Sequence, residues 1–345
     1  MPYSHPMKVL FIGGSGVISS ACTSLALENG IDLYLLNRGL RANGPTGAKQ
    51  ITADIKNPAE VKKALGNLTF DAVVNWIAFT PADVERDVEL FQGRTAQYIF
   101  ISSASAYQKP LLNYRITEDT PLVNPFWEYS RNKIASEETV IKALRDKGFP
   151  GVIVRPSLTY GETLIPLVLN SWGKSYTAVA RMKRGEPVIV PGDGTSLWTI
   201  THNSDFAKGL VGLLGQRNSI GQSFHITSDE VLTWDQYYQT VAEAVGVKAN
   251  IIHIASDFIA VCLPGETGGL HGDKTASAIF DNSKIKRFVP TYQATTSFAT
   301  GIRKTLAWFD ADKSRQIVDT DHEQKLDKII RAYESGLKAA RQSFA

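Results

Sequence analysis

The sequence predicts an α/β protein with a doubly wound parallel sheet and a smaller, irregular C-terminal lobe. In the first part, short apolar runs alternate with segments of helical periodicity, which is the pattern of such a sheet. After Ser157 that rhythm stops, and turn-rich stretches such as RGEPVIVPGDGTS interleave with isolated short strands. We therefore expect a sheet domain at 7–157, a lobe at 158–320 that returns some strands to the main sheet, and a charged amphipathic helix at 321–345.

The elements of the first part follow from local signals. Apolar runs predict six buried strands, at 8–14, 31–39, the start of KQITADIKN, 70–79, 96–105 and 150–157. The first helix should end near Gly30, a C-terminal capping residue. Asn57 and Pro58 have the residue types of an N-cap and a first helical position. A further helix is expected at about 127–146.

Composition narrows the classes of function. The chain has 345 residues, 43% hydrophobic and 21% charged, with a net charge of +3 and no basic run. We therefore expect no nucleic-acid partner. The six histidines show no metal-ligand spacing, so we expect no metal. Two cysteines in apolar surroundings favour a reducing cytoplasm over a disulfide framework. MPYSHPMK lacks an apolar signal segment, and no apolar run approaches about 18 residues, so we expect no membrane partner.

The stretch GGSGVIS links the first strand to the first helix. Gly13 and Gly16 take the first two positions of a phosphate-binding turn, and the small Ser19 takes the third. Glycines allow the tight bend and the close approach of the backbone, and the helix N-terminus then favours a pyrophosphate. The sequence therefore predicts dinucleotide binding by Gly13, Ser15, Gly16, Val17 and Ile18.

The second strand ends in LLNRG, where an acidic residue would favour NAD. Here Asn37 is neutral and Arg38 follows it. A guanidinium suits a 2′-phosphate through charge-assisted contacts, so the sequence favours NADP, with NAD as the alternative. The other interpretation is that Arg38 is an ordinary solvated arginine.

The segment EYSRNK places Tyr129 and Lys133 four residues apart, on one face of the predicted helix. A phenol beside an ammonium is either a proton-transfer pair or a tyrosine packed against a lysine stem. The spacing alone does not separate these two interpretations.

Together, the motifs resemble the extended short-chain dehydrogenase/reductase family, in its NAD-dependent epimerase/dehydratase group. The resemblance covers about residues 7–315 and includes ADIKN, FDAVVNWIA, ISSASAY, YSRNK, VRPSLTYG, PGDGTSLWTITHNSDFAKGL and DNSKIKRF in family order. LLNRG and SSASAYQK are also similar to an atypical branch that includes chloroplast stem-loop-binding proteins. The resemblance implies a Rossmann-type sheet and allows a homodimer.

This resemblance also implies roles for individual residues. Ser103, Tyr129 and Lys133 would be catalytic. The lysine ammonium and the positive nicotinamide ring would together lower the pKa of the tyrosine towards neutrality, and the lysine would also hold the cofactor ribose. The remaining cofactor contacts would come from Asp54, Ile55, Ile77, Ala78 and Pro156, besides the glycine turn, Asn37, Arg38, Tyr129 and Lys133.

Two departures from the family pattern bear on the substrate. Ala104 and Ser105 stand where 4,6-dehydratases carry an Asp-Glu pair, which disfavours dehydration. Trp198 stands where sugar-nucleotide enzymes usually have a diphosphate-binding arginine, and it is either a core residue or a stacking platform. The expected substrate-binding residues are Phe79, Ser105, Tyr107 and Trp198, with Lys109, Arg131 and Arg181 as other basic candidates.

The sequence therefore predicts a cytoplasmic NAD(P)-dependent epimerase or reductase acting on a hydroxyl or keto carbon of a sugar-like small molecule. Free or glycosidic sugars are expected to bind better than nucleotide-diphosphate sugars, since burying an unmatched diphosphate is costly. The alternatives are an NADPH-dependent ketoreductase with a non-sugar substrate and a nucleotide-bound RNA-binding or regulatory protein.

Overall fold

The computed structural model describes residues 6–39 and 46–345. Strands and helices alternate through its first half. In chain order they are β1 (Lys8–Ile12), α1 (Ser19–Glu28), β2 (Asp32–Asn37), β3 (Lys49–Thr52), α2 (Pro58–Leu65), β4 (Ala72–Asn75), α3 (Pro81–Phe91), β5 (Tyr98–Ile101), β6 (Arg115–Ile116), α4 (Glu128–Lys147) and β7 (Gly151–Pro156). The six predicted strands and three predicted helices are present, while α3 and the short β6 were not predicted.

The second half has shorter strands and more turns. Its elements are β8 (Leu158–Tyr160), α5 (Thr177–Lys183), β9 (Val188–Pro191), β10 (Leu197–Trp198), β11 (Ile200–His202), α6 (Asn203–Leu213), β12 (Ser223–Ile226), β13 (Leu232–Thr233), α7 (Trp234–Ala244), β14 (Ile251–Ile254), α8 (Ser256–Cys262), α9 (Thr267–Gly269), β15 (Ile279–Phe280), α10 (Ser283–Phe288), α11 (Phe298–Asp310) and α12 (Thr320–Ser343). A π-helical turn, Leu270–Lys274, follows α9.

The main sheet has seven strands in the order β12-β7-β5-β4-β1-β2-β3. All of its pairings are parallel. The strand order reverses between β1 and β4, and this switch point is where doubly wound sheets bind ligands at the carboxyl ends of their strands. As predicted, a strand from the second half returns to this sheet, since β12 pairs with β7.

Local sequence explains where the helices of the first half begin and end. Asn57 accepts a hydrogen bond from the Glu60 amide and caps α2, as predicted. Thr80 and Asp83 form a reciprocal capping box at the start of α3. Helix α4 ends at Gly148 in the left-handed conformation, which a glycine adopts without strain.

Buried apolar side chains form two clusters beside the main sheet and a third in the second half. The central strands β4, β5 and β7 are buried on both faces, because helices cover both sides of a parallel sheet. Helix α12 packs through Leu326, Ile329 and Ile330, and its last turns are exposed. Within the described ranges, no helix is both long and apolar enough to cross a membrane.

Candidate active site

The glycine turn lies at the carboxyl end of β1, beside the switch point. Gly13 has φ +99°, and its amide donates to the Leu36 carbonyl at 3.1 Å. A Cβ on Gly13 would lie 3.2 Å from Cβ of Trp76, so a larger residue would be both strained and crowded. The Gly16 amide donates to Ser19 Oγ at 2.8 Å. This turn leads into α1, whose first residue is Ser19, and it suits a pyrophosphate.

The other expected cofactor residues border this turn. With its amide nitrogen facing the acceptors, Asn37 donates to the Gly13 carbonyl at 2.9 Å and so joins the end of β2 to the turn. Arg38 is exposed next to it. Asp54 accepts from the Lys56 amide, and the side chain of Ile55 is buried. Three further expected residues belong to the glycine turn: Ser15 is exposed, and Val17 and Ile18 are half-buried. Two more follow β4: Ile77 is exposed, and Ala78 is fully buried.

Ser103 and Tyr129 line one cleft of about 180 Å³ at the carboxyl edge of the sheet. Ser103 follows β5, and Tyr129 lies in the first turn of α4. The Ser103 hydroxyl lies close enough to the Tyr129 phenol to affect its ionisation. Ser105 Oγ lies 2.9 Å from Ser103 Oγ and accepts from Ser130 at 2.8 Å, which holds the serine loop against α4. Pro156, at the end of β7, lines the same cleft.

Lys133 lies one helical turn beyond Tyr129, and its side chain is buried. Its Nζ donates to the carbonyls of Ala78 at 2.7 Å and Ile101 at 2.8 Å, so it ties α4 to the ends of β4 and β5. The same Nζ lies 4.7 Å from the ring centroid of Phe79 and 5.8 Å from that of Tyr129. Phe79 is 48% exposed at the mouth of this region.

Burial is the largest influence on the ionisation of Tyr129 and Lys133 in the protein alone. Burial raises the pKa of Tyr129, the Ser103 hydrogen bond lowers it, and the charge of Asp273 raises it further. Burial lowers the pKa of Lys133 to about 7, and the carboxylates of Glu137 and Asp83 act against that fall. In the protein alone, desolvation therefore outweighs the favourable contacts of the phenol. The expected decrease of the tyrosine pKa depends on the nicotinamide charge as well as on Lys133, so it stays a prediction.

Two buried polar networks fix the surrounding backbone. Asp87 accepts from Tyr98 at 2.6 Å and from the amide nitrogen of Asn75, whose oxygen accepts from the Ile77 amide at 2.8 Å. This arrangement holds the loop after β4. On the other side, Arg155 forks onto Glu137 with contacts of 2.6 and 2.9 Å.

The Glu137 carboxylate also accepts from Ser102 at 2.5 Å. Because Glu137 lies one turn after Lys133 on α4, its ion pair with Arg155 anchors the Tyr129–Lys133 face of the helix to β5 and β7.

Two of the expected substrate-binding residues are buried in the core, and for Trp198 this is the core alternative that the sequence left open. Tyr107 is 0% exposed, and its hydroxyl lies 2.9 Å from Nδ1 of His225. Trp198 is 1% exposed and stacks on Trp234 with ring centroids 5.7 Å apart. Apolar ring area drives both side chains into the core of the second half, away from the cleft. Phe79 does lie near Tyr129 and Lys133, and Ser105 lies beside Ser103.

The alternative basic residues do not line the cleft either. Arg181 is buried against Asp327 at 2.7 Å, and Arg131 donates to the Pro125 carbonyl at 2.9 Å. Lys109 is buried and donates to the Asp273 carbonyl at 3.2 Å, and burial lowers its pKa. Among the described residues, no cluster of three or more His, Cys, Asp or Glu side chains could hold a metal.

Seven residues that line the cleft were not among the expected site residues. They come from the serine loop, from the residue before α4, from β8 with the residue before it and the loop after it, and from the π-helical turn: Ala104, Trp127, Ser157, Leu158, Trp172, Asp273 and Lys274. The only sequence signal was the position of Trp127, two residues before Tyr129. Trp172 and the Asp273–Lys274 segment are distant in sequence, and only the tertiary fold brings them to the cleft that Ser103 and Tyr129 line.

Comparison with known proteins identifies the family. The model of the NAD-dependent epimerase/dehydratase family matches residues 9–227, which includes the glycine turn, the serine loop and the Tyr-Lys helix. The chain belongs to the NAD-dependent epimerase/dehydratase family. It is therefore an oxidoreductase-type enzyme of the extended short-chain dehydrogenase/reductase class, and a nicotinamide cofactor fits the crowded glycine turn described above.

Several relatives share long stretches with this family member. It is 24% identical to the 2′-dehydrokanamycin reductase of Streptomyces kanamyceticus over 85% of this chain and 82% of that protein. It is 27% identical to the chloroplast stem-loop binding protein of 41 kDa b of Arabidopsis thaliana, over 72% and 66% of the two chains. A UDP-glucose 4-epimerase of Lactobacillus helveticus is 32% identical over 41% of this chain and 48% of that protein.

Solved structures show the same fold. The epimerase Mth375 of Methanothermobacter thermautotrophicus superposes with a TM-score of 0.72 at 16% identity, over 91% of this chain and 98% of that one. The UDP-glucuronic acid 4-epimerase of Bacillus cereus, in complex with NAD, superposes with a TM-score of 0.67 at 18% identity, over 88% and 96% of the two chains.

Proposed function

We propose that this enzyme catalyses NAD(P)-dependent oxidation or reduction at a hydroxyl or keto carbon of a sugar-like substrate, through Ser103, Tyr129 and Lys133. The observation that carries this proposal is the cleft that Ser103 and Tyr129 line together at the carboxyl edge of a dinucleotide-binding sheet. A bound nicotinamide dinucleotide supplies the hydride donor or acceptor. The glycine turn, Asn37 and Arg38 would hold that cofactor.

Each side chain has a defined task in this proposal. Tyr129 gives a proton to the carbonyl oxygen during reduction and takes it back during oxidation. Ser103 donates a hydrogen bond to the same oxygen and orients it. When Lys133 is protonated, its positive charge one turn away favours the phenolate form of Tyr129, and its two carbonyl contacts fix its position. Dehydration is not proposed, because Ala104 and Ser105 provide no acid beside Ser103.

Within this chemistry we propose a reductase with exchangeable NADPH as the first candidate. Arg38 is exposed at the end of β2, where a guanidinium can bind a 2′-phosphate. The relative with the broadest sequence coverage among those described, a 2′-dehydrokanamycin reductase, is also a reductase. The second candidate is an epimerase, which the family itself and the neighbouring UDP-glucuronic acid 4-epimerase fold favour.

The test uses purified protein with NADPH and a panel of keto sugars and keto glycosides. A reductase consumes NADPH in proportion to product, while an epimerase inverts a hydroxyl with no net change in the cofactor. In Tyr129→Phe we expect turnover to fall by about 10²–10⁴-fold with cofactor affinity retained, because the ring still packs and only the proton-transfer group is lost. Tyr114→Phe, at an exposed tyrosine, is the matched control. Substantial turnover in Tyr129→Phe would refute the assignment.

A further inference from the structure

The proposed chemistry uses one wall of the cleft and leaves the other without a role. Ser103, Ser105, Tyr129 and Pro156 form the catalytic side. The remaining side chains include two indoles, Trp127 and Trp172, and two oppositely charged residues of the π-helical turn, Asp273 and Lys274. This second wall is where the part of the substrate that does not react has to lie.

Trp172 is unusually open for its size, since 62% of its surface is exposed. It lies in the loop between β8 and α5, at the rim of the cleft. An indole combines a wide apolar face with one N–H donor, so it suits a ligand that presents both C–H groups and hydroxyls. A pyranose ring has this character on its faces and its edge.

Trp127, in contrast, is held in place. Its ring lies 4.9 Å from that of Tyr129, and the Lys274 ammonium lies 5.7 Å from its centroid. The backbone of the second half packs closely on it, because a Cβ on Gly268 would lie 2.4 Å from Trp127 Cδ1. The fixed indole lies directly beside the tyrosine that transfers the proton. It can orient a sugar ring there without losing side-chain conformational entropy on binding.

Asp273 and Lys274 neutralise one another. Lys274 Nζ lies 2.8 Å from Asp273 Oδ2, and both side chains are largely shielded from solvent. The pair therefore offers donors and acceptors to hydroxyl groups without a net charge. Among the described residues that line the cleft there is no arginine. A diphosphate would have to bury its charge there without a matched cation, and that carries a large desolvation penalty.

We propose that Trp127, Trp172 and the Asp273–Lys274 ion pair form a subsite for an uncharged glycoside ring. The indoles cover the apolar faces of the ring, and the ion pair binds its hydroxyls. This inference rests on the proposed function, since the reacting carbon of that ring lies at Tyr129. It makes the enzyme selective for glycosides over nucleotide-diphosphate sugars.

The test measures binding by calorimetry to the protein saturated with NADP⁺. The probes are the methyl glycosides of glucose, galactose and mannose, and UDP-glucose. We expect at least one methyl glycoside to bind more tightly than UDP-glucose. Its affinity should fall about tenfold in Trp172→Ala, recover in Trp172→Phe and fall in Asp273→Asn. Trp308→Ala removes an indole outside the cleft and should leave binding unchanged.

The inference is overturned if no methyl glycoside binds, if UDP-glucose binds more tightly than all three, or if Trp172→Ala and Asp273→Asn leave the affinity unchanged. NADP⁺ affinity, measured for every variant, separates loss of the subsite from loss of the fold. Tyr129→Phe separates the two proposals: it should bind the glycoside as wild type does and lose turnover. Keto-substrate turnover that survives without glycoside binding would leave the proposed function standing and refute only the subsite.

Discussion

Replacing Lys133 by methionine should change how the stability of the protein depends on pH. The usual lysine pKa is 10.5, and burial lowers that of Lys133 to about 7. Between these two values the unfolded chain binds one more proton than the folded chain, so the free energy of unfolding rises with pH. A lowered lysine pKa therefore reduces the free energy of unfolding at low pH. This reduction becomes smaller as pH rises from about 7 towards 10.5.

The magnitude follows from the two pKa values. A difference of one bound proton changes the free energy of unfolding by about 1.36 kcal/mol per pH unit. Folded Lys133 is half-protonated near pH 7, so the difference is less than a full proton there. The free energy of unfolding should therefore rise by about 2 kcal/mol between about pH 7 and about pH 9. Lys133→Met keeps most of the side-chain volume but does not titrate, so it lacks this rise. The two lost hydrogen bonds, to Ala78 and Ile101, shift the whole curve and leave its slope unchanged.

The assay is urea unfolding of wild type and Lys133→Met at a series of pH values. Other titrating groups are common to both proteins, so the difference between the curves isolates Lys133. Lys147→Met, at an exposed lysine of the same helix, should run parallel to wild type. If Lys133→Met also runs parallel to wild type, the lysine is not desolvated as the structure indicates. The same variant should lose cofactor affinity and turnover together if the lysine serves both ribose and tyrosine.

Three further changes test the cofactor site and its support. Arg38→Ala should reduce the preference for NADPH over NADH by about 1–3 kcal/mol, and an unchanged ratio of the two dissociation constants would contradict it. Glu137→Gln leaves Arg155 buried without its carboxylate and should cost about 3–5 kcal/mol in urea unfolding, whereas Glu138→Gln, on the exposed face, should cost little. Gly13→Ala should weaken dinucleotide binding, as titration of either cofactor would show, because its φ of +99° suits only glycine.

The sequence by itself was sufficient for the sheet and its cofactor turn. Buried parallel strands are nearly continuous apolar runs, and their helices begin at local caps such as Asn57, so short-range patterns specify them. The capping box at Thr80 and Asp83 was equally local, and it would have predicted α3. The glycine turn and the Tyr-x-x-x-Lys helix are also contiguous in sequence, and their relative spacing is set by the helix itself.

Only the tertiary structure decided which side chains meet across the cleft and what their ionisation is. Trp198 and Trp172 are both tryptophans in the second half, yet one packs in the core at 1% exposure and the other stands 62% exposed at the rim. Whether each tryptophan is buried depends on contacts between segments that are far apart in sequence. Local propensity does not report such contacts. The pKa of Tyr129 also depends on the tertiary structure, because desolvation is caused by all the atoms packed around the phenol. The sequence shows only its neighbours along one helix.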